Sequence, residues 1–409
     1  MNKNEFKDFL TSHTFYYTRP QYAMKYGVFT FEENGEIKGV GGQFENFWRI
    51  EENQLQLFAD NSFEQHSVTF NIPENSEDWE NGMMAHSASN GAWMALVMTD
   101  IERPEQLTVS DNLGEMRTFY EKGEARQALE KLASEDKTID GESKNGYIVV
   151  PRKALDLGMD VYDEIHYTLE PPKESYPWLS NKLLIRFPDL AKIDTTIAKL
   201  RMYGDASSQF LGLSSAVAKN TYILRIADIN LIGGSYYFNT DNFPNYEQKL
   251  QNLIKKISAD LGVMHENIVL YGGSRGGTGA LYHGLLGGYK SLAIDPIVNR
   301  LYSPKMHDAQ LMFDFIPDSF TDKFDAVIAQ SQQQKENVKI ICSSNVPATF
   351  QYIKNWKVSK DKVEFLNINL NLSKEHDDTY NHGMLIRKTV PLQLSIINQF
   401  LYDMDIEKF

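Results

Sequence analysis

From about residue 180 onward, apolar positions follow two alternating patterns. Apolar segments at 182–187, 222–227, 268–271, 291–294, 338–342 and 363–368 predict strands, and the four apolar residues 268–271, which lack the polar alternation of a half-exposed strand, predict one buried on both faces. Between them, apolar residues recur at helical spacing. Leu250, Leu253, Ile254, Ile257 and Leu261 predict a helix over 244–261 with Gly262 as its stop. Ala280, Leu281, Leu285 and Leu286 predict a second helix after residue 274, and 391–401 predicts a final one. This alternation predicts an α/β architecture: a mostly parallel sheet of at least six strands with helices on both faces.

The first part of the chain has a different rhythm. Residues 26–31, 47–50 and 55–58 are short alternating segments separated by turn signals at Glu33-Asn34-Gly35-Glu36 and at Asn53, which predicts a β-rich meander or small sandwich over about 14–110. Its aromatics, Phe29, Phe31, Phe44, Phe47, Trp48, Phe58, Phe63 and Phe70, are expected to be mostly core, with a sugar-stacking platform as the alternative. Phe119, Tyr120, Ala128, Leu129 and Leu132 among many charges predict an amphipathic helix over 116–133, and the polar stretch 134–146 is expected as a linker. The expected domains are therefore 1–140, a β-rich unit suited to glycan binding or interaction, and 141–409, the α/β unit. The segment 299–337 is long for a connection inside such a sheet, so Tyr302 to Phe320, with Met312, Phe313, Phe315 and Ile316, is a candidate cap.

Composition narrows the class. With 42% hydrophobic and 23% charged residues the chain reads as globular, and a net charge of -14 without a basic stripe argues against nucleic-acid binding. No apolar run is long enough to span a membrane, and the start, Met1 to Asp8, lacks the apolar core of a signal peptide, so a cytoplasmic location is expected. The single cysteine, Cys342, lies in the apolar run 338–342 and is expected to be a core residue. With that cysteine isolated and no helical His-x-x-x-His pair, no metal site is expected.

Candidate chemistry concentrates at Gly272-Gly273-Ser274-Arg275-Gly276, a G-x-S-x-G spacing between a predicted strand and a predicted helix. Such a turn exposes a nucleophilic serine, and its flanking positions have no room for side chains. A serine nucleophile needs a base, and His382, in the polar stretch Asp377 to Gly383 between the last predicted strand and the last helix, stands where the chain order serine, acid, histidine requires one. His376 and His283 are the other contenders, His283 being expected to pack inside its helix, while His86, Ser87 and Ser89 read as a polar turn. The usual acid position after the next-to-last strand holds Ser343-Ser344-Asn345, which has no carboxylate. Asp295, at the end of the 291–294 strand, is assigned as the acid, with Asp378 and Asp377 as open alternatives. The oxyanion donors are expected to be the Arg275 N–H and an amide from the turn after strand 182–187, Phe187 or Asp189, because Pro188 has no N–H.

At Gly272 to Leu281, with Asp295 and His382-Gly383, the chain over roughly 180–405 resembles the α/β-hydrolase superfamily. The strand Leu183 to Phe187, the strand end Ile226-Ala227-Asp228 and the turn Tyr271 to Gly277 are similar to two bacterial groups. These are the accessory-secretion glycan O-acetyltransferases of Gram-positive bacteria and the capsular polysaccharide biosynthesis proteins of the XcbB/CpsF type. The resemblance implies an acyl-enzyme on Ser274 that moves an acetyl group to or from a sugar hydroxyl. It also implies no tightly bound cofactor, acetyl-CoA as a candidate donor, a glycan or small ester as substrate, and glycan-biosynthesis or secretion machinery as candidate partners. A carbohydrate esterase, or a non-catalytic glycan-binding or secretion-accessory protein on the same fold, are the alternative readings.

Overall fold

The computed structural model describes residues 3–19, 24–39, 45–88, 91–99, 105–107, 124–143, 146–189, 212–298, 320–356, 361–370 and 378–402. The chain clusters into two compact units. One comprises Met1–Leu113, Gln127–Gly158 and Thr196–Lys199, the other Gly114–Arg126, Met159–Thr195 and Leu200–Phe409.

In the first unit, helix α1 (Lys3–Ser12) precedes β1 (Thr14–Arg19), β2 (Met24–Phe31), β3 (Ile37–Gly39), β4 (Phe47–Glu51), β5 (Gln54–Phe58), β6 (His66–Asn71), β7 (Met83–His86) and β8 (Trp93–Thr99). They form two antiparallel sheets, ordered β3-β2-β1-β8-β7 and β4-β5-β6. Alternate residues of both sheets, among them Phe15, Phe29, Leu55, Phe70 and Leu96, share one core with Phe6 and Leu10 of α1. Phe29, Phe31, Trp48, Phe58 and Phe70 are buried, so most of these aromatics are core, and Phe47 and Phe63 are half-buried; Phe44 lies outside the described residues. Trp93 of this unit is exposed, its ring tilted 40° against that of His86 with the centroids 3.7 Å apart.

Three further strands, β9 (Glu105–Leu107), β10 (Lys137–Ser143) and β11 (Gly146–Pro151), pair in the order β10-β11-β9, with α2 (Glu124–Ser134) ahead of β10. The polar stretch 134–146 is therefore largely a strand and not a linker. Its partner compensates for its polarity, since Thr138 and Ile139 are buried against β11 and a register shift between Ile139 and Gly141 bulges Asp140. The fully buried Arg152 closes the hairpin by donating to both carboxylate oxygens of Asp136, at 2.8 and 3.0 Å. Composition alone reads such a strand as a loop, because the energy that holds it lies in cross-strand contacts.

The second unit runs β12 (Asp160–Tyr162), β13 (Ile165–Glu170), β14 (Lys182–Phe187), α3 (Leu213–Ala216), β15 (Thr221–Ile226), α4 (Tyr246–Asp260), β16 (Ile268–Gly273), α5 (Ser274–Gly287), β17 (Lys290–Ile294), α6 (Phe320–Gln330), β18 (Val338–Cys342), α7 (Pro347–Asn355), β19 (Glu364–Asn367), α8 (Asp378–Lys388) and α9 (Val390–Tyr402). Its eight-stranded sheet has the order β12-β13-β15-β14-β16-β17-β18-β19. The β12–β13 and β13–β15 pairings are antiparallel and the other five parallel, which is an α/β-hydrolase-like sheet. The six strands read from the sequence are all present. An edge hairpin, β12 and β13, adds two more strands to this sheet, whereas 147–151 belongs to β11 in the three-stranded sheet.

Alternation within the buried strands covers both faces. Leu183, Ile185 and Phe187 pack with Leu250, Leu253, Ile254 and Ile257 of α4, whereas Leu184, Val269 and Ile294 pack with Leu385, Ile397 and Phe400 of α8 and α9. The chain leaves β14 for β15 on one side and returns to β16 on the other. In open parallel sheets such a divergence opens a crevice at the carboxyl ends of the two strands.

Candidate active site

The first residue of α5, directly after β16, is Ser274, and its φ is +52°. A non-glycine residue in the left-handed region costs on the order of 1–3 kcal/mol, so the surrounding packing must impose it. The neighbouring backbones do so by close approach. A Cβ on Gly272 would overlap the Gly276 carbonyl, and one on Gly276 would overlap the Phe187 carbonyl and lie 2.9 Å from Pro188 O. Only glycines let α5 start this close to β14, and the half-exposed Ser274 is held at the strand-end crevice as a result.

Asp295 follows β17 with φ +44° and is 0% exposed. Its backbone N–H donates to Ile341 O at 2.7 Å, which fixes the turn. Its Oδ2 lies 2.6 Å from His382 Nδ1, and its Oδ1 accepts from Thr349 Oγ1 at 2.6 Å. A buried carboxylate is tolerated when its oxygens are satisfied in this way. Thr349, on α7, was missed by sequence reasoning: a lone threonine near a helix start carries no signal of a partner 54 positions away.

His382 sits on a helix, α8, and not in a polar loop as expected. The helix forms because its other face is anchored: Asn381 Nδ2 donates to Asn345 O at 2.9 Å, and Leu385 and Ile386 are buried in the core beneath. The Ile386 side chain also packs 3.5 Å from where a Gly273 Cβ would stand, so α8 lies against the serine turn. Asp377 and His376 lie outside the described residues, and of Asp378 only the backbone is described, as the first residue of α8.

Arg275 is the second residue of α5, where backbone N–H groups have no acceptor within the helix. Phe187 ends β14 with its ring buried edge-on to Tyr237, and the Tyr237 hydroxyl donates to Pro188 O at 2.8 Å, pinning the turn that follows. Burial pushes the nearby Tyr236 phenol up to about 12. His283 packs inside α5 as expected: Gln251 Nε2 donates to its Nδ1 at 3.1 Å and its Nε2 donates to Tyr237 O at 2.9 Å. Burial lowers its pKa to about 4, so it is neutral. Cys342 is also core, its thiol pushed up to about 12 by burial and then by the Asp295 charge, which leaves it unreactive. His86, in the first unit, hydrogen-bonds Gly91 O within its own turn, and Ser89 lies outside the described residues. Met312, Phe313, Phe315 and Ile316 of the expected cap also lie outside them, and Phe320 begins α6. Among the described residues no group of three or more His, Cys, Asp or Glu could hold a metal ion, and no helix is long and apolar enough to cross a membrane.

No protein family and no curated protein matches the chain. Solved structures that resemble it include a variant of the capsule O-acetyltransferase of Neisseria meningitidis serogroup A in complex with CoA, at 15% identity over 58% of this chain and 96% of that one, with a TM-score of 0.37. Another is the substrate-bound fluorophosphonate-binding serine hydrolase F of Staphylococcus aureus, at 13% identity over 56% and 92%, with a TM-score of 0.38. A third is an S-formylglutathione hydrolase from Agrobacterium tumefaciens, at 11% over 58% and 90%, with a TM-score of 0.39. Such distant likenesses carry no argument about activity, and the fold is read from the chain's own sheet order.

Proposed function

We propose that the protein is a serine-dependent acyl-transfer enzyme that forms an acyl-enzyme on Ser274 and passes an acetyl group to a hydroxyl of a bacterial surface or capsular glycan or its precursor. The observation that carries the reading is the 2.6 Å contact between His382 Nδ1 and the buried Asp295, on a helix packed against the turn that presents Ser274. In this reading Asp295 keeps the proton on Nδ1, so that Nε2 is unprotonated and acts as the base. Ser274 Oγ attacks the carbonyl carbon of the donor as its proton passes to Nε2, and the tetrahedral oxyanion is met by the Arg275 N–H and a second amide from the Phe187–Asp189 turn. Collapse expels the leaving group, protonated by His382. A sugar hydroxyl, giving its proton to the same histidine, then attacks the acyl carbon, and the Ser274 Oγ–acyl bond breaks as His382 returns the proton to Oγ. The donor is a thioester such as acetyl-CoA, and water in place of the sugar would make the same site an esterase.

A fluorophosphonate probe tests the chemistry. The folded protein is expected to be labelled at Ser274, and Ser274→Ala to fold normally and take no label. Unlabelled folded wild-type protein would exclude the serine mechanism. With acetyl-CoA as donor, a glycan acceptor is expected to raise donor consumption and to gain acetyl mass. Consumption indifferent to any glycan, with release of acetate from acetylated sugars, would make it an esterase.

A further inference from the structure

The loop after β15 is strained. Leu231, Tyr236 and Tyr237 have φ of +58°, +59° and +65°, and Gly234 has +91°. Non-glycine residues in this region cost on the order of 1–3 kcal/mol each and persist only where the surroundings over-determine them. Two buried charges supply that determination. Asp228, 2% exposed, accepts from the Ser235 N–H at 2.9 Å, the Tyr237 N–H at 3.3 Å and the Ser235 hydroxyl at 3.4 Å. Arg275, 3% exposed, donates from Nη1 to Gly233 O and from Nη2 to Asp189 O at 3.3 Å. Gly234 is pressed between them: a Cβ there would overlap Arg275 Nη1 and lie 2.7 Å from Asp228 Oδ2. Burial works against the guanidinium charge, but Asp228 and then the neighbouring tyrosines and Asp189 outweigh it and hold its pKa above the ordinary value.

We infer that Arg275 is a positioning residue for the acyl transfer, its guanidinium tying the Asp189 turn and the 233–237 loop to the serine turn and so setting the spacing of the two amides that receive the oxyanion. The inference rests on the serine reading above. One amide is Arg275's own, and the other comes from the turn its side chain holds, so a single residue spans both halves of the site. Tyr237 reinforces the same turn through Pro188 O. A lysine cannot replace the fork, because its ammonium is a point donor that cannot reach both carbonyls in fixed geometry.

The test uses the full chain with 4-nitrophenyl acetate, with active sites counted by exhaustive fluorophosphonate titration. Arg275→Lys is expected to lower turnover per titrated site about 100-fold, the cost of misplacing an oxyanion donor, with KM little changed and the same loss at every pH. Tyr237→Phe, which removes one bond to the turn and keeps the ring, is expected to lose about fivefold. A merely structural role would reduce the number of titratable sites but not the turnover of each. Unchanged turnover per site in Arg275→Lys, or in Tyr237→Phe if the lysine variant does not fold, overturns the inference while the wild type remains active. So does a loss confined to KM. A wild type that takes no label overturns the serine reading and this inference together.

Discussion

Asp295 has no solvent and two hydrogen-bonding partners, so replacing it tests orientation rather than bulk charge. Asp295→Asn keeps the shape but presents an amide that no longer favours the Nδ1-protonated tautomer. Its kcat is expected to fall by about four orders of magnitude, the cost in the Ser-His-Asp template, with folding retained. Asp378→Asn is expected to stay within a few-fold of wild type, and the reverse order in steady-state kinetics would transfer the acid role to Asp378. His283 tests a different residue-scale effect. Its folded pKa of about 4 lies below the ordinary 6.5, so the folded state binds fewer protons than the unfolded state between those values. The stability this neutral histidine contributes is therefore complete above pH 6.5 and is lost as pH falls toward 4, by on the order of 3 kcal/mol. Glu247 and Lys323, which act on it with opposite signs, modify that figure. His283→Gln is expected to lower stability at neutral pH and to flatten the acid side of the urea-denaturation profile; an unchanged slope there would show that His283 titrates normally.

At the scale of elements, one substitution with opposite outcomes separates close packing from helix propensity. Gly276→Ala drives a Cβ into the Phe187 carbonyl, backbone against backbone, so that α5 must retreat from β14. It is expected to destabilise by about 3 kcal/mol. Gly383→Ala, on α8 beside His382, meets nothing within 4 Å and is expected to stabilise by about 1 kcal/mol by removing glycine's entropy from a helix. Chemical denaturation measures both, and equal effects would mean that the close contact at Gly276 relaxes.

For the whole molecule, one of the boundaries between the units falls at Gly158/Met159, and β12 to α9 carry Ser274, Asp295, His382 and both apolar clusters of the large sheet. A fragment beginning at Met159 is expected to be soluble and to take the fluorophosphonate label. One cut at residue 140 splits β10, leaves Val149 and Val150 of β11 without their partners Ile139 and Thr138, and is expected to aggregate. Comparable yield and labelling from both would show that the β10–β11 hairpin is dispensable.

The sequence by itself determined the buried strands of the sheet and the glycine-flanked serine turn. Both signals are local: a strand covered on both faces needs an unbroken apolar run, and two glycines are required wherever backbones come within contact distance of one another. Even β10 shows the limit of such signals, because its polar residues form a strand only in the presence of β11 and the Arg152–Asp136 pair. Only the tertiary structure decided which carboxylate meets His382, since Asp295 lies 87 positions away and arrives through the order of the strands. The same holds for Thr349 and for the Arg275 and Asp228 network. Hydrophobic patterning reports how deeply a residue is buried and not what it faces, and partners from different strands and loops are chosen by packing of the whole sheet.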